Sequence, residues 1–369
     1  MLNIDRRILT HFDFITILLL LPLIFLSGWL IYEIHPSLGQ KHSAYVLMSI
    51  VVFIAIFILP IRRLLWLSPI FYWVSILLLI AVEFVGQTRL GAKRWIEIPF
   101  INFTIQPSEL LKPAFILMLG YLISKNPPPL GGYKFKDFAK LSFFIILPFI
   151  LIAKEPDLGT AIVLALLGYG ILFIVGVHWK IWTFLIAAFV ISLPIIYASL
   201  HDYQKQRLHD FVGDKPSYQV EQSMIAIGSG GFLGKEKDEA TQAQMKFLPI
   251  ASSDFIFAYV VERFGFLGGL FVMMIYALLI IHLLVISFWT EDYYIKVISG
   301  GVSLLFFVYS AINVAMTMGF APVVGVPLPM FSYGGSSFIT FVVILAIMEN
   351  LLAYRFLCMY SKSGKKSFL

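Results

Sequence analysis

The sequence predicts an all-α polytopic membrane protein. Hydrophobic residues make up 60% of the 369 and charged residues only 13%, with a mean hydropathy of +0.90, a balance that no water-soluble globule carries. Apolar runs of spanning length recur along the chain, separated mostly by short polar connections. Lys and Arg gather on alternate connections, as they do when flanking membrane spans. The net charge of +6 therefore reflects topology, and nucleic-acid binding is excluded as its explanation. The single cysteine, Cys358, rules out an intramolecular disulfide and a cysteine metal cluster.

Taken in order, the first span is expected over 14–32, preceded by Arg6 and Arg7; it is too long for a signal-peptide core and has no small-x-small cleavage pattern. Further spans are expected at 44–61, 66–85, 110–124, 141–153, 158–176, 180–199, 266–288, 296–318 and 336–357, ten in all. No internal repeat of fixed period is visible. The chain reads as one integral membrane domain, 1–369, with a large extracytoplasmic loop of about 200–253 between the seventh and eighth spans. The N-terminal side collects fourteen Lys and Arg, and the short connections on the other side hold five: Lys41, Arg89, Lys93, Arg94 and Lys154. That bias places both termini in the cytoplasm.

Four polar constellations then fall on the outward side. The first runs from Gly91-Ala-Lys-Arg-Trp95 to Gln106-Pro-Ser-Glu109-Leu-Leu-Lys112, the second is Lys154-Glu-Pro-Asp-Leu-Gly-Thr160, the third is the long loop ending in Asp254, and the fourth is Ser332-Tyr-Gly-Gly-Ser-Ser337. Their common side argues for one outward-facing site. Each also has a plainer explanation. Arg94 and Trp95 suit an interfacial anchor. Glu109 and Lys112, three apart on one helix face, form a self-contained ion pair, although intramembrane charges usually line a cavity. Glu155 and Asp157 either favour the positive end of the next helix or offer oxygen ligands to a divalent cation such as Mg or Mn. Ser336 is placed to cap the last span.

Asp254 stands where the long polar loop meets the apolar run Phe255-Ile-Phe-Ala258. A carboxylate losing hydration at a lipid surface gains proton affinity and becomes a better general base; the alternative is a helix cap shared with Ser252 and Ser253. The loop also contains Gly228-Ser-Gly-Gly-Phe-Leu-Gly-Lys235. This is not a Walker motif, because Glu236 follows Lys235 where Ser or Thr would ligate magnesium. It is read either as an anion-binding backbone nest or as flexible packing. His178 and His282, at span edges, are expected to be interfacial or packed.

With these motifs in place the whole chain resembles the SEDS family of shape, elongation, division and sporulation proteins, which are peptidoglycan glycosyltransferases. The resemblance is carried by Gly91-Ala-Lys-Arg-Trp95, Gln106-Pro-Ser-Glu109, Lys112-Pro-Ala114, Glu155-Pro-Asp-Leu-Gly-Thr160, Thr241-Gln-Ala-Gln244, Leu248-Pro249, Ser253-Asp-Phe-Ile-Phe-Ala258 and Ser332-Tyr-Gly-Gly-Ser-Ser337. Length and the short N-terminus look more like the RodA branch than the FtsW branch. It implies a lipid II polymerase of the inner membrane, active in elongation and rod-shape maintenance and working with a class B penicillin-binding protein and elongation-complex proteins. It also implies that Asp254 is the essential acid and that Arg94, Lys112, Glu109, Gln106, Lys235, Gln242, Ser332, Tyr333 and Ser336 bind substrate. Arg94 and Lys112, with Lys235, are the candidates for steadying the leaving diphosphate, helped by a divalent cation, and no organic cofactor is expected. Two departures stand out: Glu262-Arg263 where relatives have two acids, and Ala251-Ser-Ser253 where they have a basic-His-Thr run. The rival readings are a lipid II flippase, an FtsW-like division polymerase and a non-catalytic scaffold.

Overall fold

The structure, a computed structural model, describes residues 11–355 apart from 60, 90–91, 99–102, 156, 201, 214–215, 241, 243–246 and 249. Arg6, Arg7, Gly91, Pro156, Thr241, Ala243, Gln244, Pro249, Cys358 and the basic residues beyond it lie outside the described residues. Two long helices, α1 (Phe14–Ile34) and α2 (Pro36–Ile58), form a hairpin. The chain turns at His35, whose extended backbone ends one helix while Pro36 starts the next. A 3₁₀ segment (Ile61–Leu67) leads into α3 (Ser68–Val85). Three short antiparallel strands follow in the order β1 (Gln87–Arg89), β2 (Ala92–Ile98), β3 (Phe103–Ile105). This small sheet corrects the reading of that connection as plain loop.

The remaining helices are α4 (Pro107–Lys125), α5 (Phe135–Lys154), α6 (Leu158–Val175), α7 (Trp179–Ser199), α8 (Asp202–Val212), α9 (Tyr218–Ser229), α10 (Ile256–Trp289), α11 (Tyr293–Thr317) and α12 (Gly335–Ala353). The segment expected as a long loop, 200–253, thus carries two helices, α8 and α9. Among the described residues seven helices are long and apolar enough to cross a membrane, against the ten spans expected. By that measure α4 and α5 fall short, because charges such as Glu109, Lys112, Lys136 and Lys140 interrupt them. The protein is a multi-pass membrane protein on this count as well.

Centrality follows from composition. The spanning window of α11 is 72% buried and that of α12 78%, whereas that of α2 is 11% buried and faces outward. The interior of α11 is rich in small and hydroxyl residues. Ser299 and Ser310 bond back to the carbonyls of Ile295 and Phe306, and Ser303 reaches Ile280 O of α10 at 2.8 Å, so these three hydroxyls are satisfied in apolar surroundings. A side chain at Gly301 would come within 3.0 Å of Ile116 and 3.2 Å of Ile171, so its absence lets α4 and α6 close on α11.

The expected start of the eighth span at 266 is corrected by α10, which begins at Ile256 and breaks at Gly265 (φ 66°, ψ −166°). Only glycine adopts that conformation cheaply. The glycine-rich stretch 228–235 explains the break. A Cβ at Gly230 would lie 2.1 Å from Val261 O, and one at Gly234 would lie 2.3 Å from Arg263 O. Two of its amides are engaged as well: Gly234 N bonds Gly230 O and Lys235 N bonds Glu262 O. These glycines therefore seat the loop on the α10 break, a close-packed role in place of the flexible-packing reading.

Candidate active site

Three charged groups converge around the N-terminal ends of α4 and α6 and the C-terminal end of α11. The first lies on α4, where Lys112 Nζ and Glu109 Oε1 are 2.5 Å apart and both side chains are buried. The i,i+3 spacing puts them on one face, as the sequence suggested, and Lys112 also lies 4.8 Å from the centre of the Tyr309 ring on α11. Lys112 is 1% exposed, so its charge acts through its neighbours.

The second group joins three separate elements. Asp157 caps α6, with Oδ1 accepting from Thr160 N at 3.3 Å and Oδ2 accepting from Gln106 Nε2 at 3.2 Å. Arg94 of β2 approaches Asp157 Oδ1 at 3.6 Å through Nη1 and donates from Nε to Glu155 O at 3.2 Å. Glu155 is buried, and neither carboxylate oxygen has a hydrogen-bond partner. Burial, reinforced by the Asp157 charge and opposed by Arg94, pushes its pKa up to about 8. A divalent ion at this pair would be held by Glu155, whose two buried oxygens have no hydrogen-bond partner, and by Asp157, whose oxygens each accept one bond beside the Arg94 guanidinium; no group of three His, Cys, Asp or Glu side chains suited to a metal occurs among the described residues.

The third group is Asp254, in the turn before α10. The helix begins at Ile256 with Phe255 as its N-cap residue and no side-chain cap bond, so the capping role considered for Asp254 and its serines is not the one the fold uses. Ser336 likewise does not cap α12, whose N-cap is Gly334; it lies half-buried in the first turn. The ties on the Asp254 turn are to its main chain. Asn313 of α11 donates from Nδ2 to Asp254 O at 2.8 Å and to Val326 O at 2.7 Å. Ser332 Oγ donates to Ser253 O at 2.7 Å, and Tyr333 N donates to Ser252 O at 2.9 Å. The carboxylate itself accepts from Ser253 Oγ at 2.9 Å. Burial raises its pKa, the Ser253 hydroxyl and the Arg207 charge working in the opposite direction.

The segment 323–326 connects the groups. Val324 packs on Gly159 at the start of α6, Gly325 borders the Asp254 carboxylate, and Val326 is held by Asn313. Neither Asn313 nor this segment was singled out from the sequence, since both act through carbonyls distant in the chain. Lys235 and Gln242 stand elsewhere. Their main chains bond Glu262 O at 3.0 Å and Glu262 Oε1 at 3.1 Å, two turns beyond Asp254 on α10. Arg263, read as a departure that adds positive charge, is paired with Glu33 of α1 at 2.5 Å and donates to Lys235 O at 2.5 Å. It therefore serves as a clamp across the α10 break.

The model of a family of cell cycle proteins, FtsW/RodA/SpoVE, matches residues 3–356. The chain belongs to this family. It is 51% identical over 367 residues to the peptidoglycan glycosyltransferase MrdB of Helicobacter pylori (strain ATCC 700392 / 26695), covering 99% of this chain and 96% of that one. The MrdB of Escherichia coli (strain K12) is 36% identical over 359 residues, 94% of each chain. Among solved structures the fold matches the rod shape determining protein RodA of Thermus thermophilus, with a TM-score of 0.71, 23% identity and coverage of 94% of this chain and 98% of that one. A chain from a peptidoglycan synthase complex, described as coordinating polymerization and crosslinking, matches with a TM-score of 0.79 and 25% identity over 94% of this chain and 98% of that one.

Proposed function

We propose that the protein is a peptidoglycan glycosyltransferase that polymerises lipid II at the outer face of the cytoplasmic membrane, with Asp254 as general base. The observation that carries the mechanism is the Asp254 turn: its main chain is fixed by Asn313, Ser332 and Tyr333, while its carboxylate keeps lone pairs available and gains proton affinity from burial. In the step, the acceptor sugar hydroxyl attacks the donor anomeric carbon, its proton passes to Asp254, and the bond from that carbon to the diphosphate breaks as undecaprenyl diphosphate leaves. Arg94 supplies the half-exposed cation for the diphosphate, and Asp157 and Gln106 aim it. Lys112, closed in by Glu109 and Tyr309, supports the site by fixing α4 against α11. A divalent ion carried by the diphosphate counts as part of the substrate.

The MrdB proteins of Helicobacter pylori and Escherichia coli are 51% and 36% identical, against 29% for two relatives named FtsW and one named RodA, so an MrdB-like role, in cell-wall elongation, is favoured over division. Similarity to a chain from a synthase complex supports a class B penicillin-binding protein as the crosslinking partner, and co-purification from native membranes tests it. The orientation, with termini inside and Ser253 outside, is checked by placing cysteine at Ser253 in a Cys358→Ala background. An impermeant thiol reagent added outside labels it if the orientation holds; labelling only after permeabilisation overturns it. The catalytic reading is tested in detergent, where flipping has no meaning: the purified protein with its partner joins lipid II into long strands, and failure to do so, with lipid II still crossing liposomes, favours a flippase.

A further inference from the structure

We propose that Arg207 of α8 is a positioning residue for Asp254, clamping the 323–326 segment against α8 and supplying the positive charge beside the carboxylate. The inference rests on the reading of Asp254 as general base. Arg207 Nη1 donates to Val323 O at 2.9 Å. Two residues later Gly325 (φ 71°) turns its main chain toward Asp254 so closely that a Cβ there would lie 3.6 Å from Oδ2. One residue further, Val326 O is bound by the same Asn313 amide that binds Asp254 O. The wall beside the carboxylate is therefore tied at one end to Arg207 and at the other to the amide that fixes the base.

The chain leading into Val323 borders open space: a cavity of about 230 Å³ is lined by Arg207, Asp210, Ser217, Val220, Pro322 and Val323. Loss of the bond to Val323 O removes this tie to α8, so that Val323 can relax into that space and draw Gly325 away from Asp254. The charge adds an electrostatic effect to the geometric one. The groups around Asp254 are the Ser253 hydroxyl, the Asn313 amide from α11, the Gly325 main chain, and Arg207 from α8. On α8 Asp210 is engaged by Gln206 Nε2 at 2.7 Å, and one turn along α11 from Asn313 Tyr309 carries Lys112. Arg207 lowers the proton affinity that burial raises.

The test is the pH dependence of lipid II polymerisation by the purified protein with its transpeptidase partner, for wild type, Arg207→Lys and Arg207→Met. Removing the cation raises the proton affinity of Asp254, so the acidic limb of kcat moves to higher pH in Arg207→Met. The expected shift is about half to one pH unit, modest because the guanidinium is exposed, and it shrinks in high salt. KM stays near wild type, since Arg207 acts on the base and not on substrate. Arg207→Lys keeps the charge and the wild-type limb. A uniform fall with an unshifted limb, or a profile superposable on wild type, overturns the proposal by leaving Arg207 a purely structural clamp or no role. Should Arg207→Met fail to fold, Arg207→Lys decides, because a moved limb with the charge retained contradicts it. Asp254→Asn in the same assay separates the two readings: full activity there removes the base itself, whereas an inactive Asp254→Asn beside an unshifted Arg207→Met overturns the role of Arg207 alone.

Discussion

Glu109 and Asp254 both adjoin α11, and the fold treats the two acids in opposite ways. Glu109 is bound through its side chain, with Lys112 Nζ at 2.5 Å and the Tyr309 ring closing the other side of the lysine. Asp254 is bound through its main chain, and its carboxylate has a neighbouring serine hydroxyl as donor. A buried charge that is paired contributes to the architecture, and removing its partner is costly. A carboxylate whose backbone is fixed while its oxygens stay available suits proton transfer, because it needs little reorganisation when it accepts the proton. Under the proposed mechanism Glu109 serves the architecture and Asp254 the chemistry.

The largest expected effect falls on Asp254. Asp254→Asn preserves size and the main-chain bonds and removes the base, so polymerisation falls by about 100-fold or more while thermal unfolding stays near wild type. A parallel loss of stability would move Asp254 into the same class as Glu109. The next effect is on stability. Lys112→Met or Glu109→Gln alone strands a buried charge and costs about 3–5 kcal/mol, whereas Glu109→Gln with Lys112→Met restores most of it, read by melting in detergent. If the double variant folds but makes no glycan, Lys112 belongs to the chemistry and the contrast fails.

Smaller still is Asn313→Ala, which removes the two bonds that join the Asp254 turn to the 323–326 segment. Each is worth about 1 kcal/mol, so melting drops modestly, and turnover falls with KM little changed. The smallest effect is expected at Glu155. Its pKa is raised to about 8, so the folded state favours the protonated form; that contribution is complete at pH below about 4.5, declines as pH rises and is lost as pH passes 8. Glu155→Gln therefore keeps activity near neutrality and flattens the decline in melting temperature on the alkaline side. Abolished activity in Glu155→Gln would give this acid a role that its neutral form cannot fill.

Local spacing made much of this legible. Hydropathy gave the all-α membrane class, the i,i+3 spacing gave the Glu109–Lys112 pair, and the polar-to-apolar boundary singled out Asp254. The sequence was silent where a residue works through a carbonyl or a partner hundreds of positions away. Asn313 is one case, and Glu33 with Arg263 is another, 230 residues apart, with Tyr259 OH also donating to Glu33 Oε1 at 2.7 Å. His282, expected to be interfacial or packed, meets Asp13 Oδ2 at 2.7 Å, and Asp13 N donates to Glu349 Oε2. The polar stretches around 87–105 and 200–253 hid a sheet and two helices because the hydrophobic patterns within them are brief. Arg207 was passed over for the same reason, lying in a segment read as loop.

The role of Asp254 is decided most directly by one paired measurement in a single detergent sample of Asp254→Asn: lipid II affinity and lipid II turnover. A base that does not hold the ground-state substrate predicts an affinity close to wild type with turnover reduced by about 100-fold or more. Affinity and turnover falling together, or neither falling, would contradict it.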